Sequence, residues 1–297
     1  MIVVFGSVNL DLIFALPHIP RAGDTVLGPT TRIEPGGKGA NQAVAAARDG
    51  GITIMAGAVG HDALADGALR LLRAAGVDLD RVATVAASTG CAAIAVDPAG
   101  NNAIAVGSGA NLFARASQVE DSLLCRGNTV VVQMEVPAAQ TAELIARARA
   151  GGARIVLNLA PALPLPEAAL RAVDVLVANE TEGAWLADHL GCAATAESLR
   201  DRLGGVAVVL TMGEAGAAVA SADECWHEPA ISVEAADTTA AGDCFVGVLA
   251  HRLDHGETLR AAARRATAAA ALCCTRQGSQ GSIPQGVETD GFSAASS

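Results

Sequence analysis

The chain has 297 residues, of which 51% are hydrophobic and 17% charged, so it can build a sizeable core and does not read as disordered. Its formal net charge of −11 leaves no basic stripe for a nucleic-acid backbone, although a single nucleotide needs only a few local donors and a cation. No apolar run approaches the roughly 20 residues of a bilayer span, and residues 1–6 lack the basic start of a signal peptide, so a cytoplasmic chain without nucleic-acid or membrane partners is expected. The 7 cysteines are odd in number and scattered, with no CxxC pair, as suits reduced, buried thiols.

Taken in chain order, Ile2–Phe5 is a short apolar run ending at Gly6, the pattern of a buried parallel strand. Residues 12–35 break the rhythm with Pro17, Pro20, Gly23, Gly28, Pro29 and Pro35, leaving β-like pieces between them. A glycine-rich stretch then opens a helix to about Arg48. Further strand-like runs at 52–56, 129–133, 154–159, 173–177 and 206–211 alternate with helical stretches, clearest over 62–75, 138–150 and 180–190. Residues 90–106 read as a hairpin around the turn D-P-A-G-N at 97–101. Two long helical patterns follow at 242–254 and 257–274, and the tail beyond about 287 is expected to fray.

Strands alternating with helices imply an α/β fold with a central, mostly parallel sheet covered on both faces. We read 1–297 as one domain. The two excursions, 12–35 and 90–106, belong to no βα repeat and can pair as a small β-sheet, placed as a lid at the ligand-binding edge.

Familiar nucleotide fingerprints are absent, because Gly37-Lys38 is followed by Gly39 and no strand-linked G-x-G-x-x-G occurs. The strongest local signal is A-D-T-T-A-A-G-D-C-F-V-G at 236–247. Ala240, Ala241 and Gly242 lead directly into a helical pattern, which exposes free N–H groups for an anion, and Asp243 falls in the first turn. Phosphoryl transfer to an alcohol needs both parts, a donor set and a carboxylate that takes the hydroxyl proton, although an aspartate there can also be a plain helix cap.

P-G-G-K-G-A-N-Q-A at 35–43 lets backbone N–H groups approach a polyol, with Asn41 both donor and acceptor; a glycine turn with a solvated Lys38 is the alternative. G-S-V-N-L-D at 6–11 puts Asn9 and Asp11 on one side of an extended chain. N-E-T-E at 179–182 is either a helix start suited to the dipole or a carboxylate set that organises Mg²⁺. His251 and His255 share a helical face and read as a solvated helix end.

These four motifs, in this order, resemble the ribokinase family of carbohydrate kinases over nearly the whole chain, from Val3 to about Pro284. The resemblance implies ATP-dependent phosphorylation of a sugar, with D-ribose at its 5-hydroxyl as the first expectation and deoxyribose, another sugar or a nucleoside as the alternative. By position, Asn9, Asp11, Gly37, Lys38, Gly39, Asn41, Glu135 and Asp243 would bind the sugar, Asp243 would also be the base, and Ala240, Ala241 and Gly242 the anion hole. Asn179, Thr211, Gly213, Gly216, Gly242 and Thr267 would face ATP, and Glu182 would act on Mg²⁺ indirectly. Asp237, Thr239, Cys273, Arg276, Gly278 and Ser282 would surround K⁺, mostly through backbone oxygens. The small sheet would also carry a homodimer contact. Thr267 departs from a histidine common in the family beside adenine, and Gly281 from a common proline in the cation loop. Of the aromatic residues, which make up 2% of the chain, only Phe14 lies within 9–35 or 85–110, so a base-stacking nucleoside site is disfavoured there.

Overall fold

In the computed structural model, which describes residues 1–295, the first apolar run forms β1 (Ile2–Phe5) inside a nine-stranded sheet. Its side chains alternate: Ile2 and Val4 join one core, Val3 and Phe5 the other, and all four are fully buried.

The chain continues through β2 (Asn9–Ala15), β3 (Thr30–Gly36), α1 (Lys38–Arg48), β4 (Thr53–Gly60), α2 (Ala63–Ala74) and β5 (Asp78–Val85). The hairpin β6 (Gly90–Val96) and β7 (Asn102–Gly107) precedes β8 (Thr129–Val132), α3 (Ala138–Gly151), β9 (Arg154–Asn158) and α4 (Glu167–Leu170). Next come β10 (Val175–Asn179), α5 (Glu180–Leu190), α6 (Ala196–Arg202), β11 (Ala207–Thr211), β12 (Ala217–Ala220) and β13 (Cys225–Glu228). Three helices close the chain, α7 (Ala241–Asp254), α8 (Leu259–Cys274) and α9 (Gly286–Ala295).

The large sheet has the order β13-β12-β11-β10-β9-β8-β1-β4-β5, parallel throughout except for the antiparallel edge pair β12 and β13. β1 pairs with β4 on one side and β8 on the other, so the strand order reverses there. The crevice beyond the carboxyl ends of such strands is where open α/β sheets bind ligands.

The two excursions pair in a separate four-stranded sheet, β3-β2-β6-β7, in which β2 and β6 run parallel. Asp97 shapes the hairpin turn by accepting from the Ala99 and Asn101 amides. The first excursion starts earlier than expected, at Asn9, so Asn9 and Asp11 belong to this sheet, while the second starts at Gly90 as expected.

Three further expectations need correction. The tail is helical as far as Ala295, because α9 is tied back by Arg276 to Glu288 and Arg265 to Asp290; residues 296 and 297 lie outside the described residues. His251 is buried and its Nδ1 lies 2.7 Å from Asp49 Oδ2 rather than in solvent. Among the thiols, Cys125 and Cys225 are exposed, although all seven are free.

Small residues set the helix spacing behind the sheet. A Cβ on Gly247 of α7 would stand 2.4 Å from the Gln42 carbonyl oxygen of α1, so only glycine lets these helices lie this close. That contact brings the start of α1 alongside the start of α7.

Candidate active site

Both helix starts open beside the carboxyl ends of β1 and β8. Gly37 precedes α1 with a φ of 88°, and its missing Cβ leaves room for the Asn9 amide, 2.8 Å from where a Cβ would be. Gly39 packs against the Gly6 and Ser7 main chain, 2.7 Å from where its Cβ would lie. Glu135, just past β8, accepts from Ser7 Oγ at 2.5 Å and from the Lys38 amide at 3.1 Å through the same carboxylate oxygen. Thus the 6–11, 35–43 and Glu135 segments, far apart in sequence, form one polar floor.

Asp11 is buried on that floor, and its Oδ1 has no hydrogen-bond partner. Burial, reinforced by the Glu135, Glu34 and Asp243 carboxylates, pushes its pKa up to about 7. An unpartnered buried acceptor is costly in the free protein, a cost that a ligand hydroxyl would relieve. Asn9 is occupied differently: its Oδ1 accepts from Asn111 Nδ2 at 2.7 Å, while Asn111 Oδ1 receives the Val8 amide. Asn111 carried no signal in the sequence, standing alone in a non-repetitive stretch.

At the start of α7, Ala240 has φ 61°, the one non-glycine residue with positive φ among the described residues. This left-handed turn directs the chain into the helix, and the Gly242 and Asp243 amides are first-turn donors with no acceptor inside it. A Cβ on Gly242 would meet nothing within 4 Å, so the approach to these amides is open. The Asp243 carboxylate is buried; its Oδ2 accepts from Asn41 Nδ2 and its Oδ1 from Gln42 Nε2, each at 2.9 Å. Burial raises the Asp243 pKa above the ordinary carboxylate range, opposed by Lys38 and the two amide donors. Asp243 in turn holds the Lys38 ammonium above its ordinary value.

A cavity of about 220 Å³ opens over this helix start, lined by Lys38, Asn158, Asn179, Glu182, Thr211, Thr238, Ala240, Gly242 and Asp243, among others. Asn158, at the end of β9, is a cavity residue that the sequence did not single out. Asn179 and Glu182 cap α5 reciprocally: Asn179 Oδ1 accepts the Glu182 amide and Glu182 Oε2 accepts the Asn179 amide, both at 2.8 Å. N-E-T-E thus does start a helix, by a reciprocal cap that the sequence reading did not name, and both side chains also face the cavity. Gly213 and Gly216 form the tight turn after β11; a Cβ on Gly216 would collide with the Glu228 carbonyl oxygen. Thr267 lies half-buried on α8 and is not among the cavity-lining residues.

The segments expected to hold a monovalent cation also meet. Asp237 accepts from the Thr239 amide at 2.9 Å and the Gly278 amide at 3.1 Å, and the Cys273 thiol lies 3.0 Å from Ser282 Oγ. Arg276 turns its guanidinium outward to Glu288. Each Asp237 oxygen accepts one backbone N–H and keeps a further lone pair, so a cation here would have both this carboxylate and the loop carbonyls as hard oxygen ligands. Ser279 links this loop to the start of the 35–43 segment, donating its amide to Glu34 Oε2 at 3.0 Å and its hydroxyl to the Pro35 carbonyl at 2.7 Å.

Residues 1–286 match the model of the pfkB family carbohydrate kinases. The chain belongs to that family. The kinase is 34% identical to the ribokinase of Haemophilus influenzae over 295 residues, covering 96% of each chain. It is 36% identical over 296 residues to the deoxyribokinase of Salmonella typhi, covering 95% of each. The structure of Arabidopsis thaliana ribokinase complexed with ribose and ATP superposes with a TM-score of 0.88 at 29% identity, covering 98% of the kinase and 97% of that chain. Among the described residues of the kinase, no helix is long and apolar enough to cross a membrane.

Proposed function

We propose that this carbohydrate kinase transfers the γ-phosphoryl group of ATP to the 5-hydroxyl of D-ribose, giving ribose 5-phosphate and ADP. The observation that carries the proposal is the placement of Asp243: a buried carboxylate at an open helix N-terminus, bonded to Asn41 of the polar floor and facing the cavity beside Lys38. Ribokinases with 34% identity and a ribose- and ATP-bound neighbour support ribose as substrate. The Salmonella deoxyribokinase makes deoxyribose the second reading.

In this reading the sugar lies on the floor of Asn9, Asp11, Gly37, Lys38, Gly39, Asn41 and Glu135. Asp11 Oδ1 accepts one of its hydroxyls and Asn41 turns an amide group toward another. ATP occupies the cavity next to Asn179, Thr211, Gly213 and Gly216, with Thr267 assigned to the adenine end. Asp243 takes the proton of the attacking hydroxyl, and the free amides of Gly242 and Asp243, set by the turn through Ala240 and Ala241, hold the transferring group. Lys38 adds positive charge beside that group.

Glu182 suits Mg²⁺ held through water, because Mg²⁺ keeps several waters and needs only one or two carboxylates; it would neutralise charge on the ATP phosphates. The Asp237, Thr239, Cys273, Arg276, Gly278 and Ser282 loop suits K⁺ on carboxylate and carbonyl oxygens, set beside the anion hole. We assign the whole chain to one catalytic unit in the cytoplasm. Its small sheet would close as a lid that excludes water and pair with a second copy through exposed Ile33, Ile104 and Val106. Sedimentation tests that dimer: a monomer at micromolar concentration contradicts it.

The deciding assay is ADP release with ATP and, in turn, ribose, deoxyribose, fructose and adenosine. The highest kcat/KM is expected for ribose; a higher value for any other acceptor overturns the substrate assignment.

A further inference from the structure

Two glutamines behind Asp243 form a chain: Gln42 stands in the 35–43 motif but was given no role there, and Gln133 belongs to no motif. Gln133 Nε2 donates to Gln42 Oε1 at 2.9 Å, and Gln42 Nε2 donates to Asp243 Oδ1 at 2.9 Å. Both glutamines are fully buried. The direction of the chain is dictated by chemistry. An ionised carboxylate only accepts, so Gln42 must present its NH₂ to Asp243, its oxygen then faces Gln133, and Gln133 must present its NH₂ in turn.

Gln133 is fully buried, its Nε2 engaged by Gln42 and its Oε1 without a partner. It lies where a side chain on Gly6 would be, since a Cβ there would fall 1.9 Å from Gln133 Oε1. The glycine that ends β1 therefore makes room for the far end of the chain.

The donor to the other oxygen is free to move by comparison. Asn41 Nδ2 reaches Asp243 Oδ2, but Asn41 Oδ1 is buried without a partner. No second residue fixes that amide, and it stands on the sugar side.

We infer that Gln42, locked by Gln133, is a positioning residue that fixes Asp243 Oδ1, leaving Oδ2 as the oxygen that receives the substrate proton when Asn41 turns to the sugar. The inference rests on the proposed role of Asp243 as base. A fixed donor on one oxygen holds the carboxylate plane and favours its ionised form, opposing the burial that disfavours it. The other groups that act on Asp243 are Lys38 from α1, Glu135 past β8, Glu182 from α5, Asp11 from β2 and Cys273 from α8. None of them donates to Oδ1 in this structure.

The test is the pH profile of kcat at saturating ribose, which leaves out the titration of Asp11 in ribose binding, for Gln42→Met, Gln133→Met and the double variant, each checked for native circular dichroism. Loss of the donor in Gln42→Met should move the acid limb up by about one pH unit and lower kcat at pH 7 about tenfold, with ribose KM little changed. Gln133→Met should move the limb the same way by less, and the double variant should be no worse than Gln42→Met alone. An acid limb at the wild-type position in folded Gln42→Met, or additive losses in the double variant, overturns the inference. Should Gln42→Met fail to fold, the limb of Gln133→Met decides by the same criterion. Asp243→Asn separates the two readings: its inactivity beside an unmoved limb sinks only the glutamine chain, whereas its normal turnover sinks the base itself.

Discussion

Gly247 of α7 lies against Gln42 of α1 so closely that a Cβ would stand 2.4 Å from the Gln42 carbonyl oxygen and 2.6 Å from Ala45 Cβ. Gly247 is one turn beyond Asp243, so this contact sets the distance over which Asn41 and Gln42 reach the carboxylate. Gly247→Ala must push backbone, which has little room to give. Overpacking of this kind costs about 1–3 kcal/mol, readable as a lower urea midpoint. We expect kcat to fall more than ribose KM rises. Kinetics and stability equal to wild type would show that the helix spacing is not set here.

Ala240 holds a φ of 61° at the mouth of the anion site, where an L-residue is strained and glycine is not. Ala240→Gly should therefore stabilise the protein by about 1 kcal/mol, seen as a raised Tm. A lowered Tm would mean that surrounding contacts to the alanine methyl outweigh the backbone term.

Asp11, with its pKa pushed up to about 7, should make ribose binding pH-dependent. Above that pH the carboxylate accepts a sugar hydroxyl; as pH falls through 7 it protonates, so ribose KM should rise. Stability runs the other way. The unfolded value of 3.8 lies below the folded one, so the fold gains from this group at low pH and loses that gain as pH rises from 3.8 to about 7. Asp11→Asn should consequently raise Tm more at pH 8 than at pH 5 while abolishing the pH dependence of KM. An equal Tm change at both pH values would contradict the shift.

Asp49 supplies the opposite case, remote from the cavity. Its carboxylate is buried, but His251, Arg252 and Arg265 all bond to it, and these donors outweigh burial to bring its pKa down to about 2. Its contribution is present above 3.8 and lost as pH falls toward 2. Asp49→Asn leaves two arginines facing a neutral amide and should cost about 3–5 kcal/mol in urea unfolding, with kcat at 20 °C close to wild type. A kcat loss without a stability loss would place Asp49 in the catalytic path instead.

Much of the fold could be read from local pattern. β1 announced itself by four consecutive apolar residues, and the 90–106 hairpin by its Asp97 turn, because both depend on nearby residues. The helix-start carboxylate at Asp243 was legible for the same reason, as small residues running into an apolar helix. Asn111, Gln133 and Asn158 were not, since a lone amide has no periodicity and gains meaning only from a partner distant in sequence; Gln42 stood in the 35–43 motif, but its contacts with Gln133 and Asp243 lie 91 and 201 residues away. Asn9 was recognised as polar and well placed, yet its bond to Asn111 depends on how β2 meets the turn after β7. His251 was misread because its partner, Asp49, lies 202 residues away. The α9 segment was expected to fray as a chain end; ion pairs to α8 and the loop after it hold it.

The most direct test of the account is single-turnover phosphorylation of ribose by Asp243→Asn beside the wild type, with ribose affinity measured by calorimetry. We expect kcat to fall by about 10²–10⁴, the range for loss of a general base, with ribose Kd within about twofold of wild type. Turnover near the wild-type rate in a folded, ribose-binding variant would contradict the assignment of Asp243 as the proton acceptor, and with it the proposed mechanism.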